Sequence, residues 1–207
     1  MSTVQSTKQD TKEALLRAAE RLLAEKGLGA VTVKDITLAA GAKNPSAVHY
    51  HFGNLEALVT EVFMQRFRQI QKVQIANLDL VDEDDNDARL LGALKAAMAP
   101  FMEACLDEGG RLYIRCCYQL TSHPRFNARR MVSKNRLESV DKLRDIVLTC
   151  LADVPAELLG VRLRQGFAIS IMQAVDYAAQ VEAGTAQPID KAVHEAAICQ
   201  AGYIGAT

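Results

Sequence analysis

The 207-residue sequence has no tryptophan, only 5 prolines and 12 glycines, and a formal net charge of −1. So few breakers leave little punctuation for the many turns of an all-β domain. A near-neutral chain has no global field that would draw it to nucleic acid, so any DNA-binding surface has to be a local patch compensated elsewhere. No run of ~18 apolar residues occurs, which excludes a membrane-spanning helix. Met1 to Asp10 is polar and lacks the apolar segment of a signal peptide. The 5 cysteines form no regular framework, a usage that fits a reducing compartment better than a disulfide scaffold. The expected location is therefore cytoplasmic. There is also no Gly-rich phosphate loop, no His-Glu-x-x-His pair and no nucleophile elbow. No enzyme activity, cofactor or metal is expected from these absences.

What is present is ordinary globular material: 49% hydrophobic and 24% charged residues. Ala and Leu are frequent, and both favour helix. Residues 1–9 read as a disordered tail. Asp10 and Glu13 then form a helix-start pattern, Leu15, Ala18, Ala19, Leu22 and Leu23 recur at helical spacing, and Gly27 stops the run. Thr32 with Asp35 repeats the start signal for a short helix ending at Gly41. Asn44-Pro45 opens another, very short one that ends at Gly53. A longer helix follows from about Leu55 to Leu78, then an acidic linker from Asp82 to Asp87. The remainder reads as helices over about 88–107, 110–121, 124–152, 155–184 and 189–201, with Pro100 expected to kink the first of them. The expected fold is all-α, with a head over 10–55 and a helical body over 56–207.

Two short helices joined by a Gly-containing turn and packed on a preceding helix are a helix-turn-helix plan. Its second helix must be split: one face holds the unit together, the other carries groups that reach DNA. Val48 and Phe52 form the inner face. Lys43, Asn44, Ser46, Ala47, His49 and Tyr50 are left for the outer one.

From Gly41 to Phe52 the sequence resembles the turn and recognition helix of the TetR family of bacterial repressors. The segments 18–27 and Asn54 to Leu58 resemble that family's first helix and the start of its fourth. His49 stands where many members have Tyr, and Leu55 where a Lys usually meets a phosphate. The resemblance implies a ligand-responsive regulator, a repressor that binds a palindromic operator of double-stranded DNA as a homodimer. Thr32, Val33 and Lys34 would then meet phosphate, Lys43, Asn44, Ser46 and Ala47 base edges or nearby backbone, and His49, Tyr50 and His51 phosphate or a base, while Asn54 would cap the fourth helix and donate to phosphate. It also implies a cavity in the body for a small, largely apolar effector, with Met98, Phe101, Met102, Tyr113, Cys116, Phe126, Phe167 and Ile171 as candidate lining. The same stripe equally fits plain core. Arg111 and Arg115 are candidates to neutralise an acidic ligand group or are simply exposed. The last two long helices would pair two copies, through faces carrying Leu163, Phe167, Ile171, Val175, Tyr177 and Ala178, then Ala192, Val193, Ala196 and Ala197. Cys116-Cys117 reads as packing, with redox sensing as the rival.

Overall fold

The computed structural model describes residues 2–82, 84–123, 126 and 137–205, with the backbone alone for residues 2–8 and 122. Every regular element among them is helical: α1 (Ser2–Lys26), α2 (Val33–Ala39), α3 (Ala47–Phe52), α4 (Leu55–Asp79), α5 (Asn86–Ala104), α6 (Glu108–Ser122), α7 (Glu138–Cys150), α8 (Ala156–Ala183) and α9 (Ile189–Gly205).

Local capping chemistry sets most of the boundaries. Thr32 Oγ1 accepts from the Asp35 amide at 3.2 Å while the Thr32 amide donates to Asp35 Oδ2 at 3.0 Å, a reciprocal box that starts α2. Asn54 Oδ1 accepts from the Ala57 amide at 2.8 Å and starts α4. Asp85 starts α5 in the same way, accepting from Ala88 at 2.9 Å. Gly41, in the turn between α2 and α3, sits at φ 63°, a left-handed conformation that glycine adopts without steric cost.

Three boundaries depart from expectation. The tail expected at 1–9 is, from Ser2 onward, the opening of α1. That stretch holds no Pro or Gly to break a helix, and Gln9 Nε2 donates to Glu13 Oε1 one turn on at 3.1 Å. Asp10 therefore lies inside the helix and does not start it. Second, α3 begins at Ala47 and not at Pro45. Asn44 Oδ1 accepts from the Ser46 amide at 2.9 Å, so Asn44-Pro45 forms a local turn of its own before the helix starts. Third, Gly109-Gly110 is no break. Asp107 Oδ1 accepts from the Gly110 amide at 2.8 Å, and both glycines sit in the first turn of α6. A Cβ on Gly110 would lie 1.8 Å from the Ala104 carbonyl oxygen. Gly110→Ala is expected to lower the midpoint of thermal unfolding by several degrees, because the α5–α6 corner must open by overpacking worth ~1–3 kcal/mol; an unchanged midpoint would show that the corner yields freely. The helix expected over 124–152 is seen as α7 in its second half; residues 124–125 and 127–136 lie outside the described residues.

The head forms where α1 packs on α2, α3 and α4. Its core is Leu15, Ala19, Leu23, Ile36, Val48 and Leu58, each essentially sealed from solvent. Arg66 of α4 pairs with Glu20 of α1 at 3.1 Å and ties the head to the connecting helix. The same buried cluster continues from the head along α4 into α5, α6 and α8. Phe63 and Phe67 stack with centroids 5.4 Å apart, Phe67 meets Phe101 at 6.1 Å, and Phe101 meets Phe167 edge-on at 6.3 Å. This run of rings leads from the head end of α4 to the middle of the body. Pro100 sits buried inside α5, where it cannot donate to the carbonyl of Ala96. Behind it, α9 packs along α5 and α8, and α7 against α4 and α5.

Candidate nucleic-acid interface and body cavity

The second helix of the head is split as its sequence requires. Val48 is fully buried and Phe52 packs on the core, while Ser46, His49 and Tyr50 are exposed. Lys43 and Asn44 in the turn are exposed too. Tyr50 keeps 66% of its surface in solvent, a large aromatic that no fold requirement holds outside. Its ring meets that of His51 edge-on at 5.0 Å. His49 Nδ1 is 2.9 Å from the Gly53 carbonyl, which can only accept, so Nδ1 carries the hydrogen. Lys34 and Lys43 enter no ion pair among the described residues.

Other candidates are placed differently. Ala47 is 4% exposed and lies in the core, so its methyl is turned away from any groove. Val33 is partly buried against the same core. The Thr32 hydroxyl donates to Asp35 Oδ2 at 2.6 Å and its amide is taken by the same carboxylate, so neither group is spare for a phosphate. These two bonds, the hydroxyl first and the backbone amide second, hold the Asp35 carboxyl below its ordinary range. The cap's contribution is present above the usual carboxylate range and is lost as pH falls through the lowered value. Asn54 Oδ1 is likewise committed to capping α4.

The body holds a cavity of about 540 Å³, lined on its apolar side by Phe67, Leu94, Met98, Phe101, Leu163 and Phe167. That volume is within the range of small-molecule sites. Of the candidates read from the sequence, Met98, Phe101 and Phe167 line it. Met102, Tyr113, Cys116 and Ile171 are buried core and Phe126 is buried beside His123, at 5.2 Å; none of these five lines the cavity. Tyr113 even spends its hydroxyl on the Phe63 carbonyl, at 3.4 Å. Arg111 and Arg115 both pair with Glu182 and tie α6 to α8, away from the cavity.

Four cavity residues were not legible as site residues: Gln74, Ser139, Ser170 and Gln200. All are buried polar groups. The one signal for them was register. Gln74 occupies the buried face of α4 between Ile70 and Leu78, where the helical period asks for an apolar residue. At the rim, Arg144 pairs with Asp141 at 2.8 Å and Asp145 at 3.1 Å, and Arg164 is exposed.

The cysteines separate cleanly by burial. Cys105, Cys116, Cys117 and Cys150 are buried and Cys199 is exposed. Burial in apolar surroundings pushes the Cys116 thiol up to about 12 and the Cys117 thiol well above its ordinary value. The thiolate is the reactive form, so this pair is inert. With an aromatic disulfide reagent at pH 8, one thiol, Cys199, is expected to react quickly and the buried ones only on unfolding. A second fast thiol in the native protein would contradict this.

The faces expected to pair two copies are largely used inside one chain. Ile171, Tyr177, Ala178, Ala192, Val193, Ala196 and Ala197 are buried, and Leu163, Phe167 and Val175 are half-buried. The alanines among them allow α8 and α9 to approach α5 and each other. What α8 and α9 leave outside is Leu158, Val161 and Met172 on the first and Ile198 on the second, exposed by 41%, 39%, 58% and 50%.

No described helix is long and apolar enough to cross a membrane, and no group of three or more His, Cys, Asp or Glu among the described residues could hold a metal ion. Residues 15–62 match the family described as "Bacterial regulatory proteins, tetR family". No curated protein matches the chain. Among solved structures, the chain is similar to a TetR family transcription regulator from Marinobacter aquaeolei VT8, at 18% identity, with 96% of this chain and 97% of that one covered and a TM-score of 0.58. It is similar to a putative tetR family transcription regulator from Shewanella sp. PV-4, at 14% identity over 91% and 94%, with a TM-score of 0.64. It is also similar to NalD of Pseudomonas aeruginosa, the secondary repressor of the MexAB-OprM multidrug efflux pump, at 18% identity over 94% and 96%, with a TM-score of 0.55. The matched residues span α1 from Leu15, all of α2 and α3, and the start of α4, the elements that build the split helix.

Proposed function

We propose that the chain is a DNA-binding transcriptional regulator of the TetR family and not an enzyme, a repressor that binds a palindromic operator as a homodimer and is released by a small, largely apolar effector. The observation that carries the DNA half is the split of α3: Val48 and Phe52 face in, and exposed Lys43, Asn44, Ser46, His49 and Tyr50 are set around it with Lys34. Lys34 and Lys43 supply positive charge for phosphates, and Tyr50 and His51 add hydroxyl and ring contacts to the backbone. With Nδ1–H given to Gly53, His49 has Nε2 left to meet DNA. Ala47 acts by packing and Thr32 by capping, while Asn54 caps α4 through Oδ1 and keeps its amide N–H groups for a phosphate.

One head contacts few phosphates, and a two-fold dimer doubles them. The outward stripe of Leu158, Val161, Met172 and Ile198 is the surface we assign to the partner copy. Effector coupling runs through α4. The recognition helix packs on the start of α4, and Phe67 and Gln74 further along it line the cavity. An effector that favours one setting of α4 shifts the population of head spacings, and a coupling of ~1–3 kcal/mol weakens operator binding about 5- to 150-fold. Repression is adopted in line with NalD, whose fold the chain shares.

The test is selection of bound sequences from a random double-stranded pool by the full-length protein. An enriched palindrome supports the reading. Enrichment of a single non-repeated half-site, or of nothing, contradicts it.

A further inference from the structure

Four of the five buried polar residues of the described chain, Gln74, Ser139, Ser170 and Gln200, lie on one cavity; the fifth, Thr37, is in the head. A protein interior disfavours polar groups unless they are satisfied or used. The four come as two pairs on different helices. Ser139 of α7 donates to Gln74 Oε1 of α4 at 2.8 Å, and Gln74 Nε2 donates to the Ala97 carbonyl at 2.7 Å. Ser170 of α8 donates to the Gly166 carbonyl at 3.0 Å. Gln200 Nε2 of α9 donates to Ser170 Oγ and to Met98 Sδ.

The direction of these bonds matters. Both serine hydroxyl hydrogens, one amide hydrogen of Gln74 and the amide group of Gln200 are turned to the protein. What the two pairs leave unspent on this lining is mostly oxygen: the Gln200 carbonyl, the remaining lone pairs of the Ser170 and Ser139 hydroxyls and the second lone pair of Gln74 Oε1, against a single amide hydrogen of Gln74. None of the four is ionisable. The charged side chains on the cavity, Asp141, Arg144 and Arg164, are at least half exposed or lie at its rim.

On the reading that this cavity is the effector site, we propose that the effector is an uncharged molecule with an apolar body and a hydrogen-bond-donating group, a hydroxyl or an amide N–H, received by Gln200 and Ser170. The ring walls of Phe67, Phe101 and Phe167 take the body. A carboxylate is refused at Gln200 and Ser170 because it brings lone pairs to lone pairs there; the cations of the lining, Arg144 and Arg164, stand at the exposed side. An ammonium is refused because burying a charge with no counter-charge costs more than neutral acceptors return.

The probe is N-phenyl-1-naphthylamine, a neutral fluorophore with one N–H, displaced from the full-length protein by four chains of matched length: 1-nonanol, its methyl ether, nonanoate and nonylamine. Nonanol should displace the dye about tenfold more tightly than the methyl ether, which accepts but does not donate, and more tightly still than the two ions. In Gln200→Leu, and independently in Ser170→Ala, the preference of alcohol over ether should shrink to about twofold, with the thermal midpoint checking that each variant is folded. Ala97→Phe, which fills the cavity, should abolish dye binding.

If the dye fails to bind, or binds Ala97→Phe as well as the parent, the cavity reading falls and this inference with it. If the dye binds and Ala97→Phe blocks it, but an ion or the ether competes as well as the alcohol, or neither variant alters the preference, the cavity stands and the ligand class is overturned.

Discussion

Met172→Asp is expected to give a folded monomer of 22.6 kDa that no longer retains operator DNA. Met172 is 58% exposed in the isolated chain, so the substitution removes little from the protomer's own core. In a two-fold dimer it acts twice, since each copy brings its Asp to the same interface. Burying an unpaired carboxylate there costs several kcal/mol per ion. That is enough to move a micromolar or tighter dimer out of the working range, because every 1.4 kcal/mol is tenfold. Sedimentation velocity at micromolar concentration reads the result. Leu80→Asp is the control: Leu80 is 82% exposed at the end of α4, off the assigned stripe, and its variant should stay dimeric. A Met172→Asp protein that remains a dimer would move the interface elsewhere on the molecule.

The combined substitution Lys43→Ala and Tyr50→Ala is expected to weaken operator binding roughly 1000-fold or more while leaving the fold intact. Both side chains are exposed, and neither supports the head core of Leu23, Ile36 and Val48. Loss of each is therefore a surface change, usually within ±0.5 kcal/mol of stability. On the proposed function, each would make a charged or hydroxyl contact to DNA worth ~1–2 kcal/mol, and the dimer would count each one twice. Effector binding should survive, because the cavity lies in the body. Anisotropy titration of a labelled operator measures the loss, and dye displacement checks the cavity. Loss of both activities together would point to a folding defect, and loss of neither would remove α3 from the interface.

The sequence allowed reading of what is local and not of what is collective. The caps at Thr32 and Asn54 were legible because a cap is decided by residues within one turn. Asn44-Pro45 misled because the same pair serves either a helix start or a closed turn, and the Ser46 amide decides between them. The split of α3 was visible from the i, i+4 spacing of Val48 and Phe52, but Ala47 was misplaced, since a short helix gives little phase information. The cavity was less visible still. Phe101 and Tyr113 look alike along the chain, yet one faces a void and the other donates to Phe63 in close packing. A void is set by what three or four distant helices fail to fill, which no single stripe records. Likewise the alanine-rich face of α9 marked close packing, but within the chain and not across a dimer, leaving Ile198 as the outward residue.

Central to the proposed function is a dimeric head that grips phosphates with Lys34 and Lys43. Its most direct test is the salt dependence of operator affinity for the parent protein and for Lys34→Ala, by anisotropy titration over about 50 to 200 mM salt. The expected result is a steep linear fall of log affinity with log salt. In the variant the slope should be shallower by about 2, because each copy neutralises one phosphate fewer. An affinity indifferent to salt, or a Lys34→Ala slope equal to that of the parent, would contradict it.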